Sequence, residues 1–152
     1  MSAEERLKAL GIELGDGRSP MGSYVPSVQT GNLVFMSGLG PGTTDGREWK
    51  GKVGADLTLE EGAQSARAVG IAMLARIKAE LGSFDRVGRI VKVLGFVASG
   101  PGFNEQPTVM NGFSDLMVDV FGESGRHARS AIGVSELPHN IPVEVEIVLE
   151  IK

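Results

Sequence analysis

An arginine and a glutamate in the last quarter of the chain have the chemistry to bind and process a small acid. Arg129 starts a predicted strand at residues 129–137, and Glu144 lies on the next predicted strand, residues 143–151. A guanidinium can hold a carboxylate through two parallel hydrogen bonds, and a glutamate can orient or deprotonate a water molecule. Spacing alone favours a simpler interpretation, in which the two side chains form a cross-strand ion pair on a solvated sheet face.

The rest of the sequence narrows the available chemistry. The chain has no cysteine, which excludes disulfides, thiolate nucleophiles and cysteine-based zinc sites. Its two histidines, His127 and His139, stand apart and cannot form a histidine-rich metal site. The sequence contains no Walker A loop, no G-x-S-x-G elbow and no dinucleotide-binding glycine motif. We therefore expect a protein that works without a metal or an organic cofactor.

The net charge and the hydropathy of the chain argue against nucleic acid and membranes as partners. The chain carries 15 basic and 19 acidic residues, a formal net charge of −4, and no basic stripe is visible, so nucleic acid is not an expected partner. No apolar stretch reaches the ~20 residues that span a membrane. The first residues lack the positive and apolar runs of a signal peptide. These features predict a soluble cytoplasmic protein with no membrane partner.

Hydrophobic periodicity predicts the elements that position the candidate residues. The capping boxes Ser2–Glu5 and Thr58–Glu61 begin a short and a long helix. A second long helix begins at Pro107, and both long helices end at glycines. Strands are predicted at residues 24–30, 33–37, 89–98, 129–137 and 143–151, with a Gly31–Asn32 turn after the first and a glycine-rich loop at 38–57.

This order of elements predicts one α+β domain over residues 1–152, with two main helices packed on one face of a sheet. We assign Phe96, Phe113 and Phe121 to its core. Residues 33–36 and 90–97 are apolar at both strand phases, so both faces of the sheet need cover. The two helices cover one face, and a further copy of the chain is the economical cover for the other. We therefore expect a homo-oligomer.

A family signature coincides with the candidate residues. Arg129 is followed by Ile132 after three positions, by Leu137-Pro138 at eight and nine, and by Val143-Glu144 at fourteen and fifteen. This spacing resembles the signature of the RidA (YjgF) family of reactive intermediate deaminases. The resemblance covers roughly residues 24–151 and includes Gly22-Ser23-Tyr24-Val25, Phe35-Met36-Ser37-Gly38 and Asn111.

The sequence also departs from that family. His127 stands where the family usually has Pro or Ala, Ala131 where many deaminases have Cys, and Val145 where Ile or Met is usual. The chain also carries an extra N-terminal segment, residues 1–22, with its short helix. In these respects, and in the stretch Gly51-Lys52-Val53-Gly54, it is similar to the divergent branch often called chorismate-mutase-like.

The resemblance implies a chorismate-mutase-like α+β fold with a mixed sheet, assembled as a homotrimer with clefts between subunits. It implies hydrolysis of small 2-imino acids to 2-keto acids and ammonia. Arg129 would then clamp the substrate carboxylate, Glu144 would place the attacking water, and Tyr24 would close the pocket. The remaining implied binding residues are Asn111, Ser37, Gly38, His127 and the backbone at Ala131.

Three other functions stay open at this point. A trimer of the same fold could bind or sense small carboxylates without catalysis. An RNA-cleaving translation inhibitor is a second alternative, although the acidic composition weighs against it. A chorismate mutase is a third, supported by fold analogy alone. For single residues the plain alternatives are edge packing for Tyr24, a solvated amide for Asn111, a polar loop for His127, and either a hydrophobic plug or a cleft lid for Trp49.

Overall fold

The computed structural model describes residues 1–17, 19–44 and 46–152. Arg18, in the predicted N-terminal segment, and Asp45, in the predicted glycine-rich loop, lie outside the described residues. The helices of the described chain are α1 (Ala3–Ala9), α2 (Leu59–Leu81) and α3 (Gln106–Phe121), with single 3-10 turns at Phe84–Arg86, Gly122–Gly125 and Pro138–Asn140. The strands are β1 (Ser27–Thr30), β2 (Leu33–Leu39), β3 (Thr43–Thr44), β4 (Arg47–Glu48), β5 (Val87–Ala98), β6 (Ala128–Val134) and β7 (Val143–Ile151).

Within the described chain, five strands form one mixed sheet in the order β1-β2-β7-β5-β6. Neighbouring strands run antiparallel except β5 and β6, which are parallel and are joined through α3. β3 and β4 pair separately as a short ribbon. The α+β class is therefore confirmed. The order also places β5 between β6 and β7, so the predicted strands of Arg129 and Glu144 are not neighbours.

The three helices begin and end where the sequence predicts. Both capping boxes are formed, with Ser2 and Thr58 accepting hydrogen bonds from the backbone three residues on. α2 ends at Gly82, whose φ of 79° is a left-handed value that favours glycine. Two predicted strands are shorter than expected, since residues 24–26 precede β1 and residues 135–137 follow β6. No helix in the part of the chain that the structure describes has the length and apolar character to cross a membrane.

α2 and α3 pack on one face of the sheet and on each other, as predicted. A Cβ built on Gly112 would lie 2.0 Å from the Ala63 carbonyl oxygen, so only glycine allows the two helices to approach this closely. Beneath them, alternate residues of β5 and β7 are fully buried, among them Val93, Val97 and Leu149. This layer forms the hydrophobic core.

The other face of the sheet carries exposed apolar side chains. Val28, Phe35 and Ile132 are exposed, and 47% of the Phe35 surface is accessible. Phe96 pairs with Ile132, lies on this face and is only half-buried. Its assignment to the core is therefore wrong, because the strand alternation turns residue 96 away from the helices, whereas Phe113 is buried among the core residues.

Candidate functional site

Arg129 is held in place by three acceptors from α3. It pairs with the buried Val93 of β5, so its side chain leaves the sheet on the face that the helices cover. Its Nη1 donates to Asn111 Oδ1 at 2.9 Å and to Ser114 Oγ at 3.1 Å, and its Nη2 donates to the Pro107 carbonyl at 3.3 Å. These bonds use three of the five guanidinium N–H groups. Among the described residues, the Nε–H and the second Nη2 N–H have no acceptor, and two such donors suit side-on binding of a carboxylate.

Ser114 connects Arg129 to His127. The Nδ1 of His127 lies 2.6 Å from the Gly125 carbonyl oxygen, which can only accept, so Nδ1 carries the proton. Its Nε2, 2.9 Å from Ser114 Oγ, then accepts from that hydroxyl. Burial above all, and the nearby Arg129 charge, lower the pKa of His127. The imidazole is therefore neutral near pH 7.

Ala131 lies two residues beyond Arg129 on the same side of β6, opposite Gly95 of β5. It packs against the edge of the core. Because β6 is the last strand of the sheet, its outer backbone edge faces away from β5. Arg129, Asn111, Ser114, His127 and Ala131 make up what we call the Arg129 cluster.

Glu144 lies on the opposite face of the sheet, beside a register shift in strand β2. It pairs with Phe96 of β5. The register between β2 and β7 shifts between Met36 and Leu39. A Cβ built on Gly38, within that shift, would stand 3.2 Å from Glu144 Oε2. Burial, and to a lesser extent Glu146, raise the pKa of Glu144.

Ser37 fixes the segment that carries Tyr24. Its N–H donates to the Pro26 carbonyl at 2.9 Å, and its hydroxyl donates to the Val25 carbonyl at 2.7 Å. Tyr24 lies just ahead of β1 rather than inside it, and 54% of its surface is exposed. A phenol placed there is available to a molecule entering beside Glu144.

Glu144, Ser37, Gly38 and Tyr24 line one cavity of about 410 Å³, which we call the Glu144 cavity. The residues after β2 and the turn before β7 complete its wall, and His139 in that turn has a left-handed φ of 59°. Other lining residues are Met21, Leu39, Glu48, Trp49, Lys50, Arg76, Pro138, His139 and Ile141.

The predicted site residues therefore fall into two groups. Arg129, Asn111, Ala131 and His127 stand together on the helix-covered side of β6, and none of them lines the Glu144 cavity. Glu144 belongs to the other sheet face, with β5 between its strand and β6. The simple cross-strand Arg–Glu pair is therefore excluded for this chain.

Sequence reasoning missed two parts of these groups. Ser114 follows Asn111 by three residues, a spacing that places both on one side of a helix, and this signal could have identified it. Arg76 lines the Glu144 cavity although its neighbours Ala75 and Ile77 are core residues. A lone arginine inside an apolar helical segment is the signal that could have identified it.

The geometry supports binding of a small acid and proton transfer. The Arg129 cluster presents a carboxylate-binding edge, and the raised pKa of Glu144 lets that carboxyl exchange a proton with water closer to neutral pH than a free glutamate does. No group of three or more histidine, aspartate or glutamate side chains in the described residues is arranged to hold a metal ion.

A mixed five-stranded sheet with both long helices on one face, and a glutamate-lined cavity where β2 and β7 meet, define the chain as a small α+β protein with an open cavity beside its sheet. Comparison with known families makes this specific. The family model described as "YjgF/chorismate_mutase-like, putative endoribonuclease" matches residues 4–151. The chain belongs to this YjgF/chorismate-mutase-like family, as the resemblance predicted.

Individual relatives agree with that assignment. The chain is 44% identical to "Protein TCP17" of Trypanosoma cruzi over 146 residues, which cover 95% of this chain and 91% of that protein. It is 32% identical to a "2-iminobutanoate/2-iminopropanoate deaminase" of Dermatophagoides farinae, covering 88% and 89% of the two chains. It is also similar to the crystal structure of a "putative endoribonuclease" from Shewanella oneidensis, with 30% identity, a TM-score of 0.93 and 99% of both chains covered.

Proposed function

We propose that this protein is a hydrolytic deaminase of small 2-imino acids, which it converts to 2-keto acids and ammonia. Family membership supports this reaction class, as does the 32% identity to a protein named for this activity. The working unit in this proposal is a homotrimer of the single domain 1–152, including the N-terminal segment 1–22. The catalytic sites lie in the clefts between its subunits.

The observation that carries the proposal is the separation of the two residue groups. The Arg129 cluster lies at the β6 edge of the sheet, and the Glu144 cavity lies on the β2 and β7 side. In this proposal, the Arg129 cluster supplies the arginine that binds the substrate carboxylate, and the Glu144 cavity supplies the glutamate that transfers protons. A neighbouring copy that brings its β6 edge to the Glu144 cavity completes the site. The exposed apolar side chains of Val28, Phe35 and Ile132 favour association of the two copies, because association would remove this apolar surface from water.

The proposed chemistry assigns a role to each group. Arg129 of one subunit holds the substrate carboxylate through its two free N–H groups. The substrate enters as the protonated iminium, and Glu144 of the next subunit takes a proton from water as the water oxygen bonds to the C=N carbon and the C=N electron pair moves to the nitrogen. Glu144 then gives this proton to the nitrogen, and the C–N bond breaks as the C=O bond forms. The hydroxyl proton passes to Glu144 and from there to the departing ammonia, which leaves as ammonium.

The other predicted residues position the substrate in this proposal. Tyr24 closes over it, Ser37 and Gly38 form the wall below Glu144, and the Ala131 backbone binds the imine or the water. Asn111 and His127 hold Arg129 and shape the carboxylate end of the cleft.

A coupled assay tests the activity. Threonine dehydratase generates the imine, semicarbazide competes for it, and release of the keto acid is followed with and without the protein. We expect acceleration by the wild type. Because Arg129→Ala removes a charged hydrogen-bonding group worth about 3 kcal/mol, we expect it to lower kcat/KM by about a hundredfold. Arg126→Ala is the matched control, since Arg126 is exposed and its side chain pairs with Glu123 at 3.0 Å, outside the Arg129 cluster.

Carboxylate binding without catalysis is the second candidate. The observation in its favour is that the Arg129 cluster is fully oriented within one chain, independently of Glu144. Calorimetric binding of 2-ketobutyrate that depends on Arg129, with no acceleration of imine hydrolysis, would establish it in place of the deaminase. Titration with RNA at low salt tests the endoribonuclease activity named in the family description, and we expect no binding from a chain with a net charge of −4.

A further inference from the structure

A second arginine faces the Glu144 cavity and has no partner. Arg76 is on α2, is only 2% exposed and lines the cavity. Among the residues that the structure describes, its guanidinium makes no hydrogen bond and no ion pair. Buried charges in folded proteins are normally paired, because removing an unpaired charge from water is unfavourable. An arginine kept in this position therefore calls for an anion from outside the chain.

Trp49 adds a second unpaired donor to the same cavity. Its side chain is 6% exposed, and its indole Nε1–H is buried without an acceptor among the described residues. The ring is held from outside by the Arg47 guanidinium, 3.8 Å from its centroid, and Arg47 is itself paired with Glu61 at 2.5 Å. Trp49 is thus a fixed wall, and its N–H is another donor in need of an acceptor.

Among the described residues, the other charged side chains around the cavity form no ion pair with Arg76. Lys50 lies 3.5 Å from Glu48 and donates to the His139 carbonyl at 2.7 Å, so that cation already has a counter-charge. Glu144 lines the same cavity but forms no ion pair with Arg76 in the part of the chain that the structure describes. Neither carboxylate in the cavity wall therefore takes the role of a partner for Arg76.

We propose that Arg76, supported by Trp49, forms a subsite for a second carboxylate, so that the protein acts on imino acids with an acidic side chain. This inference rests on the proposed function, in which Arg129 of a neighbouring subunit holds the first carboxylate. The Arg76 guanidinium, unpaired among the described residues, and the Trp49 N–H, buried without an acceptor there, match an acceptor-rich anionic group. A cavity of about 410 Å³ has room for a four- or five-carbon diacid.

Binding of succinate and butyrate, which have equal carbon numbers but differ by one carboxylate, tests the subsite by calorimetry. We expect the wild type to bind succinate about tenfold more tightly than butyrate, since a charged hydrogen-bonded contact has at least this effect. Arg76→Gln should abolish the difference, and Arg76→Lys should restore part of it. Arg67→Gln on the same helix, outside the cavity wall, is the matched control and should keep it.

Stability gives an independent readout. Because Arg76 is buried without a partner, Arg76→Met should raise the thermal midpoint while removing the succinate preference. Equal binding of succinate and butyrate by the wild type would overturn the inference, as would a preference that survives in Arg76→Gln. A succinate preference without imine hydrolysis would refute the deaminase while leaving the anion subsite in place. Hydrolysis of the imine without that preference would refute the subsite alone.

Discussion

The two halves of the candidate site differ in how complete they are within one chain. In the Arg129 cluster, Arg129 has three acceptors and His127 has a partner on each ring nitrogen. In the Glu144 cavity, the buried Arg76 has no ion pair and the Trp49 N–H has no acceptor among the described residues, and burial raises the pKa of Glu144. The first half is an anchor already oriented by its own fold. In our proposals, the partners of the groups in the second half are supplied by a ligand and by a neighbouring subunit.

Among the variants that test the two halves of the site, Glu144→Gln should have the largest effect on activity. Loss of the proton-transferring group should lower kcat by about a hundredfold or more. The folded-state pKa is raised, so the carboxylate destabilises the fold increasingly as pH rises from 4.5 through the raised value. Glu144→Gln should therefore be more stable than the wild type at neutral pH. Thermal unfolding at several pH values checks this, with Glu13→Gln, at an exposed position outside the cavity wall, as the control.

Gly38→Ala tests whether the register shift in β2, where Gly38 lies, positions Glu144. Its Cβ would stand 3.2 Å from Oε2 and 3.3 Å from Cδ of Glu144, so the carboxylate must shift. A displacement of this size should lower kcat/KM by about tenfold and change stability little. Gly15→Ala is the control, because a Cβ at Gly15 meets nothing within 4 Å. Equal activity in both variants would show that the register shift in β2 has no catalytic role.

Ser114→Ala tests the link within the Arg129 cluster. It removes one acceptor from Arg129 and the donor to His127. We expect a loss of about 1 kcal/mol in unfolding free energy and a rise in KM of a few fold, since Asn111 and Pro107 still hold the guanidinium. Urea unfolding and steady-state kinetics measure both effects. A fall in kcat with KM unchanged would contradict a purely positioning role.

His127 should give the smallest effect, and one visible only on acidification. Its pKa is lowered in the folded state, so its contribution to stability is present above the usual value of 6.5 and is lost as pH falls through the lowered value. His127→Asn should therefore flatten the decline in stability between about pH 8 and about pH 5.

Local signals in the sequence predicted much of the fold. Capping boxes at Ser2 and Thr58, glycine stops at Gly82 and Gly122, and the Gly31–Asn32 turn all lie where expected. These local signals could not predict the order of the strands in the sheet, because insertion of β7 between β2 and β5 depends on contacts between distant segments. Phe96 was misassigned for the same reason, since its strand is apolar on both faces and only the packing of the helices decides which face is the core.

The site was predictable only in part. The family signature identified Arg129 and Glu144 as candidates, but residue types could not reveal that they lie on opposite faces of the sheet. Arg76 and Trp49 carry no motif. They were identified by the burial of the Arg76 side chain and by the buried Trp49 N–H that lacks an acceptor among the described residues, and both are properties of three-dimensional packing and not of sequence spacing.

The central claim of the proposal is that Arg129 and Glu144 act across two subunits, and mixing two inactive variants tests it most directly. Arg129→Ala and Glu144→Gln are unfolded together, refolded at equal amounts, and assayed for imine hydrolysis. In a closed ring, each cleft pairs Glu144 of one subunit with Arg129 of the next, so random mixing leaves about one quarter of the clefts intact.

We therefore predict that the mixture recovers about one quarter of wild-type activity, whereas each variant refolded alone stays inactive. An active wild type refolded in parallel confirms that the procedure preserves assembly. If the mixture is as inactive as its components while it forms the same oligomer, Arg129 and Glu144 do not meet across a subunit boundary, and the shared site is contradicted.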